Sequence, residues 1–518
     1  MTRETNEPRG VTRAVVRWFV KRYYSRVDIS GEDRVPRTGP VLLCANHANS
    51  LIDPVLIGIA ARRPVRFMAK APLFDLPVLG PVMHALGMVP AFRGSDDSTQ
   101  VRKNLESLDV GANVLMEGQA MGIFPEGKST DAAHLEQIRS GAARMAMQAF
   151  EGGARDLQLV PVGLTYESKD KFRSKVWINV GRPLELASWI AAQEGNERQM
   201  RRLLTEAIET RLKEVVVHLD NPDWEPWLND LEWLAEPPEA TIPAAPLRSR
   251  KRLADAINYF YQEDQERTIA VANDIKAYAG NVQAAGLEID SPLLRTHGLK
   301  VCARLVWDML WLIVLFLPAL KGWIHHLAPF VVVRGIARRM DQPGRKTIAT
   351  NRMLVGLPIY ALWYGLVAWW MSSYFTVWFT WAWMVTAPFA GIIAVLYWRR
   401  SGRAARLLWQ QIKMTFQRRQ LMELRRQDRA LAATLSALSA EYEAIHPREE
   451  VRSRRWRKQV VGLIGSAALL LLLLFSLGWL AKYWFSISRS RGRGWTCSTF
   501  PRIDWRRRWR RMSGRSCN

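Results

Sequence analysis

Between Arg352 and Arg399 the chain runs for 46 residues, Met353 to Trp398, without one charged side chain. A membrane-crossing helix takes about 20 apolar residues, so this run is long enough for two, joined at a tip near Ser372 and Ser373. Residues 460–480 are uncharged as well and would reach about 32 Å as a helix. A third apolar stretch, residues 305–333, carries Asp308 and Lys321 and is interrupted by Pro318. It reads as a re-entrant hairpin or a tilted interfacial pair. Seventeen of the 23 tryptophans follow residue 300, among apolar runs flanked by arginine. That distribution belongs to membrane interfaces.

Lys and Arg number 73 against 48 Asp and Glu, a net charge of +25, which calls for an anionic partner. Because the charge lies beside apolar spans, the partner expected is anionic membrane lipid and not nucleic acid. Cys44, Cys302, Cys497 and Cys517 are scattered without C-x-x-C spacing, which excludes a disulfide scaffold and a zinc knuckle. The opening MTRETNEPRG has no apolar stretch of signal-peptide type. The expectation is an integral protein of the cell (inner) membrane, not a secreted one, with its first part on the cytoplasmic side.

Residues 1–26 contain VTRAVVRWFVKRYY, a short basic amphipathic helix that either lies on anionic lipid or packs on the next domain. In 27–219, β-type runs (VLLCAN, VRFMAK, GMVPAF, MGIFPEG, LQLVPVGLTY, KVWINVG) alternate with helical stretches, and a helix over 196–219 closes the unit. This is α/β, a central sheet covered by helices. Residues 220–300 read as a linker, Pro/Ala-rich at 235–247, and a helical extension; 301–400 as membrane helices. A long cytoplasmic helix follows in 401–458. There Leu421, Leu424, Leu431, Leu435, Leu438 and Tyr442 fall on heptad a/d positions, with Asp428 the exception. Three heptads favour packing on the protein itself over self-association through 403–443. A span at 459–485 and a basic tail without a core, 486–518, complete the chain.

The strongest local feature is Asn46-His47-Ala48-Asn49-Ser50-Leu51-Ile52-Asp53-Pro54, directly after the strand-like VLLCA. A histidine at a strand end suits general-base work, since its pKa lies near neutrality, and a carboxylate could hold its tautomer. Asp53-Pro54 before VLIGIA also reads as a helix N-cap with its N1 proline. Three further segments join it. Gly87-Met88-Val89-Pro90-Ala91-Phe92-Arg93 delivers Arg93 after a short strand. Phe124-Pro125-Glu126-Gly127 puts Glu126 and Gly127 on a tight turn, and Leu159-Val160-Pro161-Val162 is a buried-type strand. Singly these read as a surface arginine, a turn glutamate and an edge-strand proline.

Together and in this order the four blocks resemble the glycerolipid acyltransferases, the lysophosphatidate and glycerol-3-phosphate acyltransferase family, over about residues 27–185. Two features depart from the family's usual pattern. Five residues separate His47 from Asp53 where four are usual, so the two cannot share one face of a regular helix and His47 must sit on the turn before it. The third block reads Phe-Pro-Glu-Gly-Lys-Ser, lacking a frequent arginine, so Lys128 or Arg93 would supply that charge. The resemblance implies transfer of a fatty acyl group from an acyl thioester to a phosphorylated glycerol, with no metal and no cofactor beyond the thioester. It implies His47 as base, Asp53 as its orienting group, and Arg93, Glu126, Gly127, Lys128 and Pro161 around the acceptor. The block containing HANSLIDP resembles the branch acting on glycerol 3-phosphate and dihydroxyacetone phosphate; lysophosphatidate is the alternative acceptor. An inert, membrane-tethered scaffold is the alternative of another class.

Overall fold

The computed structural model describes residues 10–76, 79–91, 98–128, 134–169, 171–234, 246–296, 298–340, 348–447 and 453–455. The span and tail expected after residue 458, most of the 235–247 linker and Arg93 lie outside them.

Nine strands among the described residues form one mixed, mostly parallel sheet: β1 (Arg26–Ser30), β2 (Val41–Ala45), β3 (Val65–Lys70), β4 (Val89–Ala91), β5 (Ala120–Ile123), β6 (Gln158–Tyr166), β7 (Lys175–Val180), β8 (Leu184–Glu185) and β9 (Ser453–Arg455). Their order is β4-β3-β5-β2-β6-β7-β1-β9, with β8 paired to β6. Helices cover both faces: α1 (Gly10–Tyr23), α2 (Ile52–Ala61), α3 (Leu79–Ala85), α4 (Ser98–Met116), α5 (Gly141–Glu151), α6 (Leu186–Ala191) and α7 (Glu197–Val215). Central strand β2 shows why the sequence reads as continuously apolar. Val41, Leu43 and Ala45 enter the core on one face with α2, while Leu42 and Cys44 enter the other with α4, α5 and α7. The helix closing this unit starts where Asn196 and Gln199 form a reciprocal capping box.

β9 corrects the expectation of an unbroken helix over 401–458. The described residues 453–455 pair antiparallel with β1, adding a strand to the sheet's edge. β1 itself, RVDIS, was not among the expected strands.

A second core is wholly helical: α8 (Glu225–Leu234), α9 (Pro246–Glu263), α10 (Gln265–Ala284) and α11 (Pro292–Arg295) pack with the start of α12 (Gly298–Met340). α13 (Ile348–Tyr374), α14 (Val377–Phe416) and α15 (Arg418–Ile445) follow. The heptad residues Leu424, Leu431 and Leu435 are buried in this core, so α15 packs on its own chain. The exceptional Asp428 is buried too, bridged to Arg295 at 3.1 Å and accepting from Tyr278 Oη at 3.1 Å.

Three helices, α12, α14 and Leu354–Tyr374 of α13, are long and apolar enough to cross a membrane. α12 overturns the re-entrant hairpin: it runs through Pro318 and Pro329 as one 43-residue helix. The two charges of its 305–333 stretch are matched inside the bundle, Asp308 to Arg400 at 2.6 Å and Lys321 to the Thr386 hydroxyl and the Trp383 ring face at 4.3 Å. A proline's lost hydrogen bond is tolerated where neighbouring helices pack over it. α13 and α14 both lie against α12 around His325 and His326, α13 reaching on to Val333 beside Gly356, and α14 back to Gly322 beside Ala390 and to Phe316 beside Tyr397. The connection between them is Phe375–Thr376, just past the expected Ser372–Ser373.

α1 does pack on the domain, burying Val20 and Tyr23 and donating from Arg17 to the Gly58 carbonyl. It still presents Val15 and Trp18 outward. At its end, Phe172 lies edge-on to Tyr23 at 5.6 Å, and Arg399, the residue closing the 46-residue run, donates to the Phe172 carbonyl at 2.7 Å. Burial, then the charges of Arg399 and Arg22, hold the Arg173 guanidinium below its ordinary pKa. The apolar helices therefore meet the sheet domain at a corner crowded with arginine.

Candidate active site

Gly122 in β5 starts the site. A Cβ there would lie 2.1 Å from the Phe67 ring, so only glycine lets Phe67 of β3 lie over β5. Phe67 stacks on Phe124 at 5.7 Å, and Phe124 stacks on the His47 imidazole at 4.1 Å, 14° from parallel. His47 sits in the turn between β2 and α2, as its spacing from Asp53 requires. Asn46 braces that turn by donating to the Leu164 carbonyl (3.1 Å) and accepting from the Leu164 N–H (2.7 Å) on β6. Ser50 holds φ at +37°, a left-handed conformation uncommon outside glycine.

His47 Nδ1 lies 2.8 Å from Asp53 Oδ2. The His47 side chain is 18% exposed and that of Asp53 fully buried. Asp53 is in the first turn of α2, but it is not the N-cap; Leu51 is. Its carboxylate instead gathers donors. Oδ2 also accepts the Asn49 N–H at 2.6 Å, and Oδ1 accepts the Tyr166 hydroxyl at 2.5 Å. Burial, then the Asp53 charge, pushes the Tyr166 hydroxyl well above its usual pKa, so it remains a donor. The Asn49 amide donates to Tyr24 Oη at 2.9 Å, extending the network to the end of α1. An acceptor-only carboxylate at Nδ1 fixes the neutral imidazole with its lone pair on Nε2. Among the described residues Nε2 has no hydrogen-bond partner, which is the state a general base requires. Cys44, three residues upstream, is buried, and burial pushes its thiol up to about 12, which makes it a poor nucleophile.

The other expected residues divide. Glu126 is buried and accepts the His47 backbone N–H at 2.9 Å, so it anchors the histidine's turn. Gly127 takes φ +69°, and a Cβ on it would come within 3.3 Å of Arg139. Lys128 is half-exposed and bridged to Glu136 at 3.0 Å. Pro161 is not brought to the pair: it is buried in β6 beside Cys44 and packs against Gly181. Nor is it on an edge strand. Its carbonyl accepts from Gly181, so its missing N–H faces the gap where β6 passes from β8 to β7. Residues missed from sequence are Tyr166, Asn49, Tyr24, Phe67 and Arg139. Arg139 is exposed over the Glu126–Gly127 turn, its N–H held by the Pro125 carbonyl at 3.0 Å. No ion-pair partner for its guanidinium occurs among the described residues.

Residues 26–165 match the acyltransferase family profile. An uncharacterised acyltransferase of Schizosaccharomyces pombe is 22% identical over 67% of this chain and 66% of its own length. The glycerol-3-phosphate O-acyltransferase 1 of Saccharomyces cerevisiae is 23% identical over 50% of this chain and 36% of its own. The 1-acyl-sn-glycerol-3-phosphate acyltransferase of Borreliella burgdorferi is 23% identical over 30% of this chain and 57% of its own. The matches thus span between about a third and two thirds of these relatives. Residues 26–165 are an acyltransferase domain, and distant homologues of this chain are glycerol-3-phosphate and lysophosphatidate acyltransferases.

Proposed function

We propose that this chain is a membrane-bound O-acyltransferase of phospholipid synthesis. It transfers a fatty acyl group from an acyl thioester, on coenzyme A or acyl carrier protein, to glycerol 3-phosphate or dihydroxyacetone phosphate. The reading rests above all on one observation: a buried carboxylate with three donors, one of them His47 Nδ1, behind an imidazole whose Nε2 is unengaged among the described residues. Nε2 takes the proton of the acceptor hydroxyl as its oxygen attacks the thioester carbonyl. The C–S bond then breaks, and the imidazolium returns the proton to the departing thiolate. General-base help of this kind is worth roughly 10²–10⁴-fold. Direct transfer agrees with the raised pKa of Cys44, the thiol nearest in sequence. Arg139, one residue from Glu126 in space, and Arg93 are the cations that would hold the acceptor's phosphate, and Glu126 positions His47.

The arginine corner and the outward Trp18 support anionic lipid as the surface partner. Basic excess between the apolar runs supports a catalytic domain on the cytoplasmic face. Lysophosphatidate is the second reading, favoured by the likeness to the Borreliella enzyme. Membranes carrying the protein, given radiolabelled glycerol 3-phosphate, dihydroxyacetone phosphate and lysophosphatidate in parallel, decide among the acceptors. His47→Ala should abolish transfer while expression and membrane insertion persist. Substantial transfer by that variant overturns the mechanism, and no transfer by the wild type to any acceptor favours the inert scaffold.

A further inference from the structure

Far from His47 in the chain, the apolar helices enclose a polar cluster for which acyl transfer at the sheet has no use. On α12, Lys321 is held by Thr386 and the Trp383 ring. His326 Nδ1 donates to the Gly322 carbonyl at 2.9 Å, leaving Nε2 to accept from the Tyr364 hydroxyl at 3.0 Å. Trp363 Nε1 donates to the His325 carbonyl at 2.7 Å. His325 is different. It is buried, at 3% exposure, and its Nδ1 faces Trp383 Nε1 at 3.3 Å. An indole N–H can only donate, so Nδ1 is the acceptor and the ring proton sits on Nε2. That Nε2–H has no partner among the described residues. In an apolar setting without water, an unmatched donor is expensive, and ionisable side chains there are functional by default.

His325 borders a cavity of about 590 Å³ between α12, α13 and α14, within the range of small-ligand sites. The rest of its wall is almost wholly apolar, from Ile324, Trp363 and Leu366 to Phe375, Phe379 and Trp383. Trp369 and Trp370, also in its lining, are 70% and 54% exposed. A ligand suited to this site has an apolar chain for the aromatic wall and one acceptor oxygen for the donor.

We infer that the cavity is a lipid site separate from the catalytic one. It holds one acyl chain of a glycerolipid, with the ester carbonyl accepting from His325 Nε2. The occupant reaches the cavity laterally from the bilayer past Trp369 and Trp370. The same chemistry occurs in a bulk phospholipid and in the monoacyl product of the proposed reaction, so both are probed.

The test uses the full chain in nanodiscs with two photoreactive lipids, each with a diazirine in its acyl chain: a phosphatidylethanolamine and a lysophosphatidate. After irradiation, cross-linked peptides are mapped by mass spectrometry, a readout independent of catalysis. Labelling should concentrate on residues 363–383. It should fall about tenfold in His325→Phe, which keeps the ring volume and loses the donor, and be restored in His325→Gln. Leu366→Trp, which fills the cavity without touching the polar cluster, should lower it comparably if His325→Phe fails to fold. Preference for one lipid identifies the source. Labelling spread evenly over the lipid-facing surfaces and indifferent to these variants, or cavity walls left unlabelled because another helix covers them, overturns the inference.

Discussion

Asp53→Asn separates the carboxylate's charge from its shape, and the structure says how the amide will sit. If its nitrogen took the Oδ2 position it would face two donors, Asn49 N–H and His47 Nδ1–H. If the nitrogen takes the Oδ1 position it faces only the Tyr166 hydroxyl, which can reverse and accept. The second orientation wins, so the substituted amide still presents an oxygen to His47 and the tautomer survives. What is lost is the negative charge beside the imidazolium formed during transfer. Two unit charges about 4 Å apart at an effective dielectric near 20 interact by about 4 kcal/mol, so kcat/KM should fall roughly 10³-fold.

Tyr166→Phe alone removes one donor to a buried charge, costing about 1.5–3 kcal/mol of stability and less of the rate. Combined with Asp53→Asn it leaves the amide no acceptor at the Oδ1 position. The two donors at the Oδ2 position still hold the amide oxygen toward His47, so the double variant should stay close to the product of the singles. Thiol release from the acyl thioester, followed with a chromogenic thiol reagent at varied acceptor, measures all four proteins. Asp53→Asn within about threefold of the wild type would refute the electrostatic role, and a double variant far below the product of the singles would refute the amide orientation.

Arg139→Ala should raise KM for the phosphorylated acceptor about tenfold and leave that for the thioester nearly unchanged; the opposite pattern assigns Arg139 to the donor. Arg93→Ala, read the same way, tests the cation expected from sequence. His218 accepts the Leu135 N–H at Nδ1 (3.0 Å), and burial, then Lys213, lowers its pKa. Its contribution to stability is therefore complete above about pH 6.5, the unfolded value, and is lost as pH falls below it. Thermal unfolding from about pH 7.5 down to about pH 5.5 should show a falling midpoint that flattens in His218→Leu; parallel slopes exclude His218 as the cause. Residues 399–458 carry sixteen basic against six acidic side chains, so the positive-inside bias predicts them on the cytoplasmic side and Ser373 outside. In a cysteine-free background Ser373→Cys should react with an impermeant reagent from outside, and protection there, with reaction of a cysteine in 403–443, reverses the orientation.

The six expected strand runs of the sheet domain became β2 to β7, because a strand buried on both faces leaves a contiguous apolar mark in the sequence. His47 and Asp53 were readable for a related reason: both lie within one turn and the start of one helix, so their spacing alone limited their geometry. Tyr166 was not. It lies 113 residues from Asp53, and a tyrosine at the end of an apolar strand has the same appearance whether its hydroxyl meets water or a carboxylate. Arg139 escaped notice likewise, because no local pattern in the sequence shows that it lies beside Gly127.

The remaining departures share one physical cause. Asp308, Lys321 and Asp428 each broke a pattern read from sequence, an apolar span in two cases and a heptad in the third. Each is matched by a partner 92, 65 and 133 residues away: Arg400, Thr386 and Arg295. A local hydropathy pattern counts a charge as exposed because it assigns the whole desolvation cost to one residue. Packing divides that cost with a group the pattern does not include. Pro318 follows the same logic, since a helix covered by α14 can tolerate the lost hydrogen bond that an isolated helix could not. An unmatched polar atom in such surroundings is then the more informative case. Three breaches of the apolar pattern proved to be pairs, whereas His325, one of the residues lining the cavity, keeps an Nε2 with no partner among the described residues.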